Sequence, residues 1–239
     1  MIHKLRALDI ARLRSHSSRT LGVIAALSYS SWPLAFLLNP WVGRHELASE
    51  LEAPHQPYAW VFIMTDVLTG VFIMLVGLLQ LRTRKVSRLL FAAVAGYVLF
   101  GAMVAGAALS PLTCDPAQQS CAPLLRHPAL VMHGGFSILS VVCLLFSVVA
   151  IAIAAYQRPR QRILQALLAG TLLCWAVFGA GALLEQLLHI RDNNTLQYFF
   201  ISVCSISLAL VIGAIESLTR KAQTVSLSEE LLYNRQNIR

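Results

Sequence analysis

Side chains that can bind metals or move protons are concentrated in a few places along this chain of 239 residues. One stretch holds two of the five cysteines, an acid and two of the seven histidines: Cys114, Asp115, Cys121, His127 and His133. Three further candidates lie within or beside apolar runs: Asp66, Glu185 and His189. Neutral imidazoles and carboxylates bind zinc, exchange protons and hold polar lipid heads, so these residue types leave several chemistries open.

A catalytic zinc site is one interpretation of these residues. In it, His127, His133 and His189 bind the metal, and Asp66 or Glu185 transfers protons. His127 and His133 are six positions apart and do not share a helix face, so His127 would have to bind from the start of its helix. The chain contains no HExxH, GxSxG, P-loop or GxGxxG pattern, so no specific catalytic motif supports this interpretation.

The composition of the chain indicates that most of it lies in lipid. Mean hydropathy is +0.66, and only 13% of residues are charged, against about 25% in soluble domains. A membrane-spanning helix needs about 20 apolar residues, and six such runs are present: Thr20–Gly43, Ala53–Leu81, Leu89–Cys114, His127–Gln157, Ile163–Leu184 and Asn193–Ile215. We expect an all-α, multi-pass membrane protein with a six-helix bundle over residues 20–218, a basic arm at 1–19 and a tail at 219–239.

Basic residues indicate how this bundle is oriented. Sixteen of the 19 lysines and arginines lie in the arm, the second and fourth connections and the tail. Basic flanks stay in the cytoplasm, which predicts cytoplasmic termini in the cell (inner) membrane. The net charge of +8 then reflects topology and contact with anionic lipids, and it does not indicate nucleic-acid binding. The six candidate binding residues fall toward the outer end: Asp66, Asp115, His127, His133, Glu185 and His189.

The polar positions near the outer end lead to separate expectations. Asp66 lies about two turns into helix 2, where an acid must face the bundle, and Thr65 and Thr69 could supply hydroxyl partners. Residues 42–58 are predicted to form a short polar helix followed by an extended turn. We expect this connection to be a solvated loop, and a ligand-binding lid is the alternative. In helix 4, Ser137 follows His133 by one turn on the same face.

The cysteines divide into two groups. Cys114 and Cys121 are expected outside the cytoplasm, where a disulfide closing this small loop would contribute roughly 2–3 kcal/mol. A thiolate metal site is the alternative, but the spacing lacks a CxxC-like pair. Cys143, Cys174 and Cys204 fall inside predicted helices and are expected to be ordinary core residues.

Two families share features with these residues. The acid in Thr65-Asp66-Val67-Leu68-Thr69-Gly70, the pair Cys114-Asp115 and the histidines His127 and His133 resemble a bacterial membrane family called domain of unknown function 998. That resemblance covers about residues 20–218 and implies a six-helix bundle without an established activity. The polar cluster is also remotely similar in kind to the alkaline ceramidase and adiponectin-receptor class of zinc-dependent membrane hydrolases. The chain departs from that class in its six helices and in lacking an HxxxH pair near its end.

Three functions follow from this reading. The first is an outward-facing polar pocket, centred on Asp66 and His133, that binds a lipid head group, an ion or a small amphiphile. The second is a zinc-dependent lipid hydrolase. The third is a proton-coupled carrier, against which the expected absence of proline-broken helices and repeated halves argues.

Overall fold

The described part of the chain is almost entirely helical and contains no strand. In this computed structural model, the described residues are 17–40, 48–54, 56–83, 87–110, 112, 128–158, 161–188 and 193–236. Six of the helices found there are long and apolar enough to cross a membrane. They confirm the predicted all-α, multi-pass architecture.

The six helices run in chain order with one short helix between the first two. They are α1 (Ser17–Leu38), α2 (Ala59–Thr83), α3 (Arg88–Ala108), α4 (Pro128–Tyr156), α5 (Arg162–Leu188) and α6 (Asn193–Gln236). A five-residue 3-10 helix, Ala48–Glu52, lies between α1 and α2. We call residues 48–54 the outer segment.

Local signals explain several helix ends. The Ser87 hydroxyl accepts a hydrogen bond from the Leu90 N–H at 3.3 Å and so caps the start of α3. Pro128 is the first residue of α4, where its missing N–H costs nothing. At the other end of the chain, α6 continues through Ser226 to Gln236. No glycine or proline interrupts the chain between the membrane span and Gln236.

Helix α1 is interrupted near its outer end. Its regular part ends at Tyr29, and a 3-10 turn at Trp32–Leu34 precedes a final short stretch, Ala35–Leu38. Pro33 lies inside the turn and cannot donate the hydrogen bond that a continuous helix needs there. The expectation that no span is broken by proline was therefore wrong.

Helix α3 is the centre of the bundle and packs closely on α2 and α4 along their lengths. A Cβ atom on Gly101 would lie 2.7 Å from the Gly70 carbonyl oxygen of α2. One on Gly96 would lie 3.0 Å from the Cys143 carbonyl oxygen of α4. Small residues in α3 thus allow its backbone to approach both neighbouring helices closely.

One end of the bundle joins the first and last spans through charge. Arg19 of α1 forms an ion pair with Glu216 of α6, whose side chain is fully buried. Beside it, Arg158 donates to the Leu218 carbonyl oxygen at 2.7 Å. The fold thus brings Arg19 to Glu216 from the far end of the chain.

Candidate functional site

A cavity of about 230 Å³ lies at the end of the bundle opposite the Arg19–Glu216 pair. Its walls come from α1, α2, α3, α4 and α6 and from the outer segment. The polar side chains that line it include Glu52, Asp66, His133, Ser137 and Gln197, among many apolar and aromatic ones. The cavity therefore combines ionisable groups with walls that suit an apolar chain.

The outer segment is packed into the bundle and forms one wall of this cavity. Leu51 is 1% exposed and packs with Ala35 of α1 and Phe62 of α2. The Ala48 N–H donates to the Gln197 side-chain oxygen at 2.7 Å, which ties the segment to α6. The expectation of a solvated loop was wrong for residues 48–53, because the burial of Leu51 and Ala53 draws the intervening acids inward.

Asp66 finds its partner in this segment. Its carboxyl group is hydrogen-bonded to that of Glu52, whose side chain is 6% exposed. Burial raises the pKa of the Glu52 carboxyl well above its usual value of 4.5, and the Asp66 charge and hydrogen bond raise this pKa further. Two carboxylates can hydrogen-bond to each other only when one carries a proton, so the pair acts as a shared acid.

The two threonines beside Asp66 do not serve it, contrary to expectation. The Thr65 hydroxyl bonds with the Ser31 hydroxyl at 2.9 Å and with the Phe62 carbonyl at 2.8 Å. The Thr69 hydroxyl donates to backbone carbonyls, including that of Ala25 in α1. Both threonines thus connect α2 to α1 and hold Asp66 in place only indirectly.

His133 is anchored to the end of α3. Its Nδ1 lies 3.1 Å from the Ala107 and Ser110 carbonyl oxygens, which belong to the turn where helix carbonyls lack helical partners. Since both partners are acceptors, Nδ1 carries the hydrogen and Nε2 of the neutral ring is an acceptor. His133 is 7% exposed, and Ser137 lines the same cavity, as their spacing predicted.

Two of the candidate site residues are brought together, and four cannot be placed. Asp66 and His133 line the same cavity. Glu185 belongs to α5, but its side chain is outside the described part. The remaining candidates lie outside the described residues: Asp115, His127 and His189. Among the described side chains, no group of three metal-binding residues is close enough to hold an ion, and the proposed zinc set stays a prediction.

The structure describes three of the five cysteines, so it tests only some of the cysteine predictions. Cys143, Cys174 and Cys204 are free thiols within helices; Cys204 lies in the core as expected, while Cys143 and Cys174 are partly buried and pack against it. Cys114 and Cys121 lie outside the described residues, so their disulfide stays a prediction.

Sequence reasoning missed several residues of the site. Glu52 is the most important, and Tyr29, Trp32 and Gln197 also line the cavity. Trp32 stacks on Tyr198 of α6 with ring centroids 4.7 Å apart, which closes α1 against α6. No sequence signal identified Glu52: its alternation with Leu51 and Ala53 would place the acids on an exposed side, whereas the acids and the apolar residues of this segment are all buried.

Comparison with known proteins gives one match. The family model described as "Protein of unknown function (DUF998)" matches residues 23–216, which include all the helices around the cavity. No curated protein and no solved structure shows significant similarity to the chain. The resemblance to this family is therefore confirmed, while no match supports the remoter one to membrane hydrolases.

Proposed function

We propose, for a chain that belongs to the DUF998 family of proteins of unknown function, that its cavity binds the head of a small amphiphile or membrane lipid. The observation that carries the proposal is the meeting of Asp66 and His133, from separate helices, at one cavity with largely apolar walls. Ionisable groups inside a membrane are costly and are kept mainly where they serve a site or pathway. A few convergent polar groups in an apolar cavity are typical of ligand sites.

The size of the cavity limits its occupant. About 230 Å³ lies below the roughly 300–1,000 Å³ of pockets for drug-sized molecules. A head group with the first part of a chain fits this space, and a whole phospholipid does not. The rest of the ligand must therefore extend out of the cavity.

The position of Ile138 supports a route for that chain. Ile138 lines the cavity but is 67% exposed, and it lies within the membrane span of α4. An exposed isoleucine at this depth faces lipid, so the cavity reaches the lipid-facing surface of the bundle beside it. A ligand can then enter from the bilayer with its head first.

The basic residues support an outward-facing site. The described arginines 19 and 158 lie at the end opposite the cavity. By the positive-inside rule, that end faces the cytoplasm, both termini are inside and the cavity opens toward the outer face of the inner membrane.

Filling the cavity tests the proposal. Replacing Ser137 with tryptophan puts a large ring where a cavity-lining hydroxyl lies, and we expect the copurifying amphiphile to fall by about tenfold or more. Mass spectrometry of organic extracts from detergent-purified protein measures it. The control is Leu139→Trp on the same helix, because Leu139 is 51% exposed and does not line the cavity.

The outcomes of this experiment are distinct. An amphiphile retained by the wild type and Leu139→Trp but lost from a folded Ser137→Trp variant supports the proposal. Equal amounts of copurifying amphiphile in all three preparations would contradict the proposal. Elemental analysis of the same wild-type sample decides the hydrolase alternative, which requires about one zinc per chain, lost on His133→Ala.

A proton-coupled carrier is the second candidate, and the broken helix α1 favours it. Ser31 and Trp32, at the interruption, line the cavity beside the Glu52–Asp66 pair. Carriers often place discontinuous helices and a protonatable acid at the substrate site. This candidate requires ligand-driven proton movement in proteoliposomes that is lost in Asp66→Asn, whereas a simple binding protein shows none.

A further inference from the structure

The polar groups of the cavity are matched to a particular kind of head group. The hydrogen bond between the Glu52 and Asp66 carboxyl groups requires a proton on at least one of them, so the pair carries at most one negative charge. Among the described residues that line the cavity, none is a lysine or arginine. None of the described lining residues can therefore balance a negative charge on the pair, and a cationic ligand would balance it.

His133 adds a second, independent indication. Its side chain is 93% buried, given an exposed fraction of 7%, and its Nδ1 is committed to the two carbonyls at the end of α3. The Nε2 atom has no hydrogen-bond partner among the described residues, although the ring lines the cavity. Nε2 is therefore an acceptor that is open to an occupant of the cavity, and a ligand N–H can donate to it.

The two observations require the same property of the ligand. The carboxylate and the imidazole Nε2 both accept hydrogen bonds, so the head group must donate more than one. A primary ammonium has three donors and a positive charge, whereas a quaternary ammonium has the charge alone. A carboxylate head would meet repulsion from the acid pair, and a phosphate would find no basic partner among the described lining residues.

We propose that the cavity is a selective site for a primary ammonium head group on an apolar chain, held between the Glu52–Asp66 pair and Nε2 of His133. The inference rests on the proposed amphiphile-binding function and names its ligand class. The chain leaves the cavity beside Ile138 toward the bilayer. Both a free long-chain amine and phosphatidylethanolamine carry this head, and the experiment separates them.

The test compares four probes that share one alkyl chain: dodecylamine, dodecyltrimethylammonium, dodecanol and dodecanoate. Native mass spectrometry of the purified protein measures the bound fraction of each. We expect the wild type to bind dodecylamine about tenfold or more tightly than the other three, since hydrogen bonds to charged groups supply that margin. Asp66→Asn should remove this preference.

Two variants keep the result interpretable. Glu216→Gln removes a buried carboxyl at the opposite end of the bundle and should keep the preference for the amine. Ser137→Trp should lose all four probes because it fills the cavity. If the wild type binds none of the probes, the proposed function itself fails. If dodecanol, dodecanoate or dodecyltrimethylammonium binds as tightly as the amine, the ammonium inference is overturned while an amphiphile site remains.

Lipid composition separates the two sources of the head group. Dodecylamine binding is repeated in nanodiscs of phosphatidylethanolamine and in nanodiscs of phosphatidylcholine, whose head has the same net charge but no N–H donor. Weaker amine binding in phosphatidylethanolamine identifies the lipid head as a competitor for the site. Equal binding in both excludes the lipid head as a competitor and leaves a free amine as the source of the head group.

Discussion

Glu52 and Asp66 show how a buried acid in a membrane protein can be tolerated. Glu52 approaches from a short segment outside the spans, and Asp66 comes from within α2. A shared proton removes the repulsion that two charges would suffer and leaves a hydrogen bond between the helices and the outer segment. The same proton makes the fit of the outer segment sensitive to pH.

Glu52→Gln is expected to flatten the pH dependence of stability. The pKa of Glu52 is raised in the folded protein above its usual 4.5, so the folded state holds this proton more tightly than the unfolded state. Stability contributed by the protonated form is present below pH 4.5 and is lost as the pH rises through the folded pKa. The wild type should therefore lose a few degrees of Tm from about pH 5 to about pH 8, and the variant should lose less.

Thermal unfolding in detergent, followed by near-ultraviolet circular dichroism across this pH range, measures the difference. The glutamine keeps the shape of the side chain and can still donate to Asp66, so a folding defect is not expected. Parallel Tm curves for wild type and variant would contradict the assignment of a raised Glu52 pKa.

At the scale of elements, glycines explain why α3 can pack closely on both of its neighbours. Gly101 meets Gly70 of α2, and Gly96 meets α4, so the backbones approach where larger residues would hold them apart. The close approach places the end of α3 beside α4, where the Ala107 and Ser110 carbonyls reach His133. Helix packing thereby sets the tautomer of a cavity residue.

Gly101→Ala is expected to destabilise the bundle by about 1–3 kcal/mol. The new Cβ would lie 2.7 Å from the Gly70 carbonyl oxygen and 2.9 Å from the Ile73 Cγ2 atom, and the backbone partner cannot move without separating α2 from α3. The measurement is the Tm in detergent. Gly170→Ala in α5 is the matched control, because nothing lies within 4 Å of its added Cβ. A lower Tm for both variants alike would show that packing is not the cause.

At the scale of the whole molecule, the two ends of the bundle are chemically different. One end carries the Arg19–Glu216 pair and Arg158, and the other holds the cavity with its acid pair. The ion pair connects the first and last spans, so it closes the bundle across 197 positions of sequence. This polarity is what the proposed orientation depends on.

Cysteine labelling tests that orientation. In a variant without native cysteines, Ser49→Cys in the outer segment should react with a membrane-impermeant maleimide in intact cells. Ser228→Cys, on the extension of α6, should react only after the cells are permeabilised, because positive-inside topology places it in the cytoplasm. The reverse pattern of labelling would refute the proposed orientation and an outward-facing cavity.

The six membrane spans and the polar positions Asp66 and His133 were determined by sequence alone. A membrane helix satisfies its own backbone hydrogen bonds, so a local run of apolar residues is enough to predict it. An acid or histidine inside such a run is conspicuous for the same reason. The family also follows from sequence, since its match over residues 23–216 needs no coordinates.

Only the tertiary structure decided which partners these residues have. Glu52 looked like a residue of a solvated loop, and it became the partner of Asp66 because Leu51 buries its neighbours against α1 and α2. The His133 tautomer depends on carbonyls 26 and 23 positions earlier in the chain. Such contacts arise from how helices pack, and packing depends on side chains distant in sequence that no local pattern relates.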